Sequence, residues 1–266
     1  MISTGCILVA YDFDDRKQKL WDTFLNLSRL INSKHLVIDN GLNENFNSIK
    51  GSNKFYEFSG YIEGIEVLGS NDLDRIFIFN DTLFEHHATV MWANFFKNIS
   101  PEKDGVFGDG RIEPVFWDGT PLKILASWHF LLNGKASIED FNKILKDILV
   151  DFDKPLVIDN SYELYREKYL SGGIFNGYSL SGNLNTEEDM SRKKKCIDTE
   201  HRLGRELEKK GEMNFYSGYK YQLIHGFDRF LSFKFLGERA RSFSGKHEKA
   251  NGGMATQPEP TTAPEG

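Results

Sequence analysis

A doubly wound α/β fold is the class this sequence predicts, and three stretches predict it: CILVAYD at 6–12, HLVIDNG at 35–41 and RIFIFN at 75–80. Each is a short apolar run closed by polar residues, the pattern of a strand buried on both faces. Helical periodicity fills the intervals, so strand, helix, strand, helix, strand follow one another within about eighty residues. Parallel pairing needs such crossovers.

Taken in order, Leu20, Trp21, Phe24, Leu27, Leu30 and Ile31 stand at helical spacing and predict a helix over Asp15–Ile31. Asn40-Gly41 supplies turn chemistry after the second strand. Ser59 is read as the N-cap of a helix bearing Ile62, Ile65, Val67 and Leu68. Beyond residue 86 the reading is a helix over His87–Phe96, a strand with a glycine turn at GVFGDG (105–110) and one buried segment at ILASWHFLL (124–132). Ser137-Ile138-Glu139-Asp140 resembles a capping box and predicts a helix from Ser137 to Leu149. LVIDN (156–160) reads as a strand or a loop, and SGGIFNGYSLSGNLN (171–185) as a flexible active-site loop or a connector. A long charged helix follows over Thr186–Lys210, and no internal repeat is present. The organisation expected is an α/β half over 1–135, a helical remainder of the same domain over 136–249, and a tail over 250–266 with too little apolar surface to fold.

With 266 residues, 39% of them hydrophobic, the chain can bury a sizeable core. Cys6 and Cys196 give no disulfide framework and no zinc spacing, which fits a reducing cytoplasm. The N-terminal apolar run is too short for a secretory signal, and no window approaches the ~18 apolar residues of a membrane span. A cytoplasmic protein, or one peripheral at the inner face of the membrane, is expected. The net charge of -6 argues against a general nucleic-acid binder. From Met190 to Ala250, however, 15 Lys and Arg stand against 8 Asp and Glu. That basic region reads as a solvated helix face, or as a surface for an anionic acceptor or phospholipid head groups; RFLSFKFLGERARSF (229–243) is the candidate for contact with an anionic membrane or a neighbouring enzyme.

The strands end in Tyr11-Asp12-Phe13-Asp14, Asp39-Asn40-Gly41 and Asn80-Asp81-Thr82. In a sheet of this class ligands bind beyond the carboxyl ends of the strands. One such ending is an ordinary polar turn; three predict a shared crevice lined with oxygen. Carboxylate and amide oxygens suit Mg²⁺ or Mn²⁺, which binds through one or two carboxylates plus substrate phosphates. Such a cation neutralises a departing diphosphate.

The series VIDNG, EFSGYIEGIEVL and DRIFIFNDTLFEHH resembles a group of bacterial GT-A-fold glycosyltransferases of surface-polysaccharide (O-antigen or capsule) assembly. In that group a strand ending Val-Asp-Asn-Gly precedes an E-[FW]-SG-x-x-EG helix and a strand ending Asn-Asp-Thr, which replaces the usual Asp-x-Asp metal motif. The resemblance covers roughly residues 5–135. It implies a mixed, mainly parallel, Rossmann-like sheet flanked by helices, with a nucleotide-sugar-binding half at 1–135 and an acceptor-side, basic helical region at 136–249. Asp39 would contact the base or ribose, with Tyr11, Asp12 and Asn40 near the same nucleotide. Ser59 and Gly60 would open the helix that covers the donor. Asp81, with Asn80, would hold the diphosphate through Mg²⁺ or Mn²⁺, although Asn80 is neutral where the commoner motif has an acid. His225 is either the late histidine of the metal shell or a satisfied core or surface histidine. The acceptor would be an oligosaccharide or a lipid-linked saccharide. Its proton needs a base, and the candidates are Glu200, preferred, and Asp198; the plainer reading of Glu200 is an exposed helical ion-pair partner. Of His86 and His87 at most one would face the donor, and Trp117, Trp128 and His129 lie where the sugars bind in such enzymes, with core packing the plainer reading for both tryptophans.

Two rivals start from the same residues. LVAYDFDDR and GVFGDGRIE resemble haloacid-dehalogenase-type phosphatases, with Asp12 as nucleophile, Asp14 as general acid and Asp109 as a magnesium ligand; Arg16 and Glu113 depart from that pattern. The other is a non-catalytic GT-A-like partner subunit.

Overall fold

The computed structural model describes residues 2–11, 18–41, 48–69, 72–81, 89–99, 103–170, 186–216, 221–224 and 226. Chain order runs β1 (Thr4–Ala10), α1 (Gln18–Leu30), β2 (Lys34–Asp39), β3 (Ile49–Lys50), α2 (Glu57–Leu68), β4 (Arg75–Asn80) and α3 (Thr89–Asn98). It continues through β5 (Gly105–Gly108), β6 (Gly110–Trp117), β7 (Thr120–Leu125), β8 (His129–Asn133), α4 (Lys135–Val150), α5 (Asn160–Leu170), α6 (Glu187–Lys209) and β9 (Met213–Phe215).

The central sheet has the order β3-β2-β1-β4-β8-β5-β9, and β6 pairs with β7 as a separate hairpin. Every neighbour in the central sheet is parallel except at β8, which runs against both β4 and β5. The fold is therefore mixed α/β with a mostly parallel sheet between helices. All seven residues of β1 are buried, which is why its sequence is apolar without alternation. Ile7, Val9, Ile76, Ile78, Phe130 and Leu132 face a core shared with α2, α4 and α6. Cys6, Leu8, Ala10, Phe77, Phe79 and Leu131 face the opposite core, which α1 and α3 cover with Phe24, Leu27, Trp92 and Phe96. Residues beyond 135 thus close the sheet begun by the first half: α4 and α6 share the face of α2, and β9 extends the edge at β5.

Three local readings are corrected. Ser59 is not an N-cap: α2 begins at Glu57 after Tyr56, and Ser59 lies in its first turn. Ser137 lies inside α4, which Gly134 precedes, and its hydroxyl donates to Glu212 Oε2 at 2.8 Å. The segment 124–132 is split between the end of β7 and the start of β8, with a corner at Ala126–Trp128. In each case a partner distant in sequence decides what a local pattern leaves open. Of the 156–160 stretch, 156–159 is a loop and Asn160 opens α5.

Helix α2 lies unusually close to β1. A Cβ on Gly60 would fall 2.6 Å from Val9 Cγ1, and one on Gly64 2.6 Å from Ile7 Cγ2. The two glycines stand one helical turn apart on the face toward the sheet, so their lack of side chains sets the seating distance of α2. That seating sets the height of the α2 N-terminus over the strand ends. No helix among the described residues is long and apolar enough to cross a membrane, and the 229–243 segment and the 250–266 tail lie outside the described residues.

Gly60→Ala gains helix propensity of ~1 kcal/mol but forces a methyl into Val9, an overpacking worth about 1–3 kcal/mol. A net loss of stability in urea denaturation is expected, with Val9→Ala restoring it in the double variant. A Gly60→Ala protein more stable than wild type would contradict this account of the packing.

Candidate functional site

Strand register builds the site. Ala10 of β1 pairs with Asp39 of β2, and Val9 with Asn80 of β4. The three carboxyl ends therefore finish level, two strand spacings wide or about 10 Å. Asn40 N–H donates to Ala10 O at 2.8 Å and Asp81 N–H to Val9 O at 3.2 Å, carrying the ladder one residue past each strand. Tyr11 N–H then donates to Asp81 Oδ2 at 3.3 Å. Tyr11, Asp39, Asn40, Asn80 and Asp81 consequently share one edge; Asp12, His86, His87 and His225 lie outside the described residues.

Asp39 and Asn40 are buried, yet each keeps an acceptor unused. Asp39 Oδ1 takes the Gly41 N–H at 2.8 Å, while Asp39 Oδ2 has no partner. Asn40 Nδ2 donates to Tyr56 O at 2.9 Å, while Asn40 Oδ1 has none. A Cβ on Gly51 would fall 2.0 Å from that oxygen, so the glycine keeps its place open. Leaving a buried acceptor unpaired costs about 1–3 kcal/mol, and two on successive residues at one strand end, on opposite faces of the sheet, call for an explanation. A ligand presenting N–H or O–H donors is one.

The approach to α2 forms the next wall. Tyr56 has φ 56 and ψ -137, a conformation costly for a residue with a side chain. Its carbonyl is held by Asn40 and also by Ser59 Oγ, which donates to it at 2.8 Å and accepts the Phe55 N–H at 3.3 Å. Ser59 thus shapes this turn, and Gly60 lets α2 touch β1; these contacts, not exposure to the crevice, account for the Ser-Gly pair.

The opposite wall is tied to the strand ends through the backbone of one residue, Ser127. Asn80 Nδ2 donates to the Tyr61 hydroxyl at 3.4 Å, and that hydroxyl donates to Ser127 O at 2.6 Å. On the other side of the same residue, Ser127 N–H donates to Glu200 Oε1 at 2.7 Å. Ser127 sits at the corner between β7 and β8, and Glu200 on α6. The chain Asn80, Tyr61, Ser127, Glu200 therefore brings Glu200 to the edge that holds Asn80 and Asp81. One turn earlier on α6, Cys196 Sγ lies 3.9 Å from Glu57 Oε2 at the start of α2.

Crowding governs the charges here. Burial pushes the Glu57 carboxyl above the ordinary carboxylate range, with Lys193 and Arg192 pulling it back and Asp81 adding to the rise. Burial likewise raises Glu200, against Arg111, Lys193 and the Ser127 N–H, while Glu57 raises it further. A carboxyl raised in this way holds its proton more tightly than a solvated one, a property that acid–base chemistry uses.

Asp198, two residues from Glu200, has a different setting. Arg166 Nη1 donates to both its oxygens at 2.9 and 2.8 Å, the Tyr162 hydroxyl donates to Oδ1 at 2.9 Å, and Leu156 N–H donates to Oδ2 at 3.0 Å. Tyr162 also meets His201 Nδ1 at 2.8 Å, and burial holds His201 neutral with its pKa lowered to about 3. Asp198 is thereby committed to tying α5 and the 151–157 loop to α6, and the structure does not bring it to the strand ends. Trp128 and His129 are buried against Trp92 in the α3-side core, and Trp117 packs against the β6–β7 hairpin core.

Among the described residues no three of His, Cys, Asp and Glu are placed to hold a metal ion. Asp81 brings one carboxylate to this edge, which is no cage made by protein alone. Asp109, at the end of β5, accepts a hydrogen bond from the Tyr221 hydroxyl. Strands β4 and β8 stand between β5 and β1, a separation of roughly 14 Å, too wide for one magnesium ion to bridge Asp109 and the end of β1.

Glu57, Tyr61, Ser127, Arg192 and Lys193 were not among the residues singled out from the sequence. Glu57 alone carried a signal, as the acid opening the E-[FW]-SG motif. No protein-family model matches the chain, and no curated protein matches it significantly.

A carboxyl raised in the folded state binds its proton more tightly there than in the unfolded chain, so its contribution is intact below about pH 4.5 and is lost as pH climbs toward the raised value. Glu57→Gln and Glu200→Gln should each raise the urea midpoint above wild type at pH 7 and match it near pH 4. Lower midpoints at pH 7 would show that both charges are fully compensated.

Proposed function

We propose that the protein is a GT-A-type glycosyltransferase that moves a sugar from a nucleotide-sugar to a hydroxyl of a saccharide or lipid-linked acceptor in surface-polysaccharide assembly. The supporting observation is the convergence of Asp39, Asn40, Asp81 and Glu200 on one sheet edge, with Asp39 Oδ2 and Asn40 Oδ1 buried and unpartnered. Ribose hydroxyls and base N–H groups are the donors those oxygens lack. With the nucleotide on β2, its diphosphate extends across β1 toward Asp81 at the end of β4, and the sugar toward Glu200.

In this reading Glu200 takes the proton of the acceptor hydroxyl as its oxygen forms a bond to the anomeric carbon. The bond from that carbon to the diphosphate breaks, and its electron pair leaves on the diphosphate. The Ser127 N–H fixes Glu200 Oε1, which leaves Oε2 for the proton. A divalent cation, when bound, supplies positive charge to the diphosphate; Asp81 and the Asn80 carbonyl are the groups that would hold it. Work in the cytoplasm or at the inner face of the membrane, where nucleotide-sugars and lipid-linked acceptors meet, belongs to the same proposal.

UDP, GDP, CMP or TDP, screened with and without Mn²⁺, should raise the melting temperature. Asp39→Ala should weaken that binding by about 10- to 100-fold. Glu200→Gln should keep nucleotide affinity and lower sugar transfer by about 10²- to 10⁴-fold. Absence of any nucleotide effect would refute the reading, as would hydrolysis of a generic phosphate ester that disappears in Asp12→Asn.

A further inference from the structure

Arg192, Cys196 and Glu200 recur at four-residue spacing on α6 and so form one stripe of the helix. Two members of the stripe are pinned to the crevice, Glu200 by Ser127 N–H and Cys196 against Glu57. The third is therefore delivered to the same crevice one turn nearer the N-terminus. Its guanidinium lies 4.4 Å from the centre of the Tyr56 ring and 5.7 Å from that of Tyr11. Those tyrosines come from different elements, one following β1 and the other preceding α2.

A guanidinium held by ring faces keeps its N–H edge available, and Arg192 is exposed to solvent. Its described contacts are these two rings. Lys193, half-buried, adds a second cation whose field reaches Glu57, Cys196 and Glu200. Tyr11 joins this cationic pair to Asp81, since its ring lies under Arg192 while its N–H donates to the carboxylate. Tyr11 at the end of β1 thus has the Arg192 cation over its ring and the Asp81 carboxylate on its N–H.

We infer that Arg192 and Lys193 form an anion subsite over the end of β1 that binds a diphosphate directly, the planar Arg192 fork on two oxygens and Lys193 as a point charge. The inference rests on the donor reading above and adds that side chains of α6 grip the diphosphate without requiring a divalent cation for binding. The diphosphate assigned is that of the nucleotide-sugar; a lipid-linked acceptor is the other source of the same chemistry.

Calorimetric titration in EDTA tests it, with inorganic pyrophosphate, the nucleoside diphosphates, the parent nucleosides and farnesyl diphosphate as probes. A nucleoside diphosphate should bind without metal and bind about 10- to 100-fold more weakly to Arg192→Gln and to Lys193→Gln, with Arg192→Lys recovering part of the loss. The parent nucleoside should bind wild type and variants alike, which also reports that the variants are folded. Equal diphosphate affinity in wild type and both variants overturns the subsite, as does binding that appears only with Mn²⁺. Variant-sensitive pyrophosphate binding to which no nucleoside adds affinity would keep the subsite and remove the nucleotide-donor reading. Tighter binding of farnesyl diphosphate than of any nucleoside diphosphate overturns the assignment to the donor.

Discussion

The register between β1 and its two neighbours is the constraint from which the rest of this structure follows. Ala10 against Asp39 and Val9 against Asn80 is a hydrogen-bond pattern, with no side-chain chemistry in it. A shift of one residue in either pairing would move the side chains of β2 or β4 from each core into the opposite one, so the packing of the two cores holds the register in place. Because the ladder is parallel and level, polar residues that merely follow three apolar runs in sequence become neighbours in space. The close seating of α2 through Gly60 and Gly64 then brings Tyr56 and Glu57 down to the same edge. Tyr61, on that helix, reaches Ser127, and Ser127 reaches Glu200.

Two carboxylates two residues apart on α6 show how environment assigns roles. Asp198 receives four hydrogen bonds, two of them from Arg166. Removing one partner from such a buried pair costs about 3–5 kcal/mol, so its work is to hold α5 and α6 together. Glu200 receives one described hydrogen bond and faces another crowded acid, Glu57. Its charge is left less compensated than that of Asp198. Residual proton affinity is what an acid or base needs, and it is found on the carboxyl that the fold does not consume.

Much of the frame was legible because parallel strands buried on both faces leave continuous apolar runs: RIFIFN is β4 to the residue, and the charged helix read over Thr186–Lys210 is α6 at Glu187–Lys209. The same burial explains the failures. A buried segment that turns a corner has no period, so 124–132 read as one element when Ser127 separates two. Ser59 and Ser137 carry cap-like patterns, but their hydroxyls serve the Tyr56 carbonyl and Glu212, choices made by tertiary contacts. The strand ends at Asp39 and Asn80-Asp81 were visible as a convergence once parallel order was assumed. Glu57 and the Arg192 stripe were not, because a charged helix does not declare which of its faces points inward, and the Tyr61–Ser127 bond spans 66 residues.

The most direct measurement is hydrogen–deuterium exchange with and without a nucleoside diphosphate that stabilises the protein. Slowed exchange is expected in peptides covering the ends of β1, β2 and β4, the 55–61 turn into α2 and the 126–128 corner, while the separate cleft that Trp117, Lys143, Asp147 and Arg202 line between α4 and α6 stays unchanged. Protection confined to that cleft, or spread over the molecule without the strand ends, would contradict it.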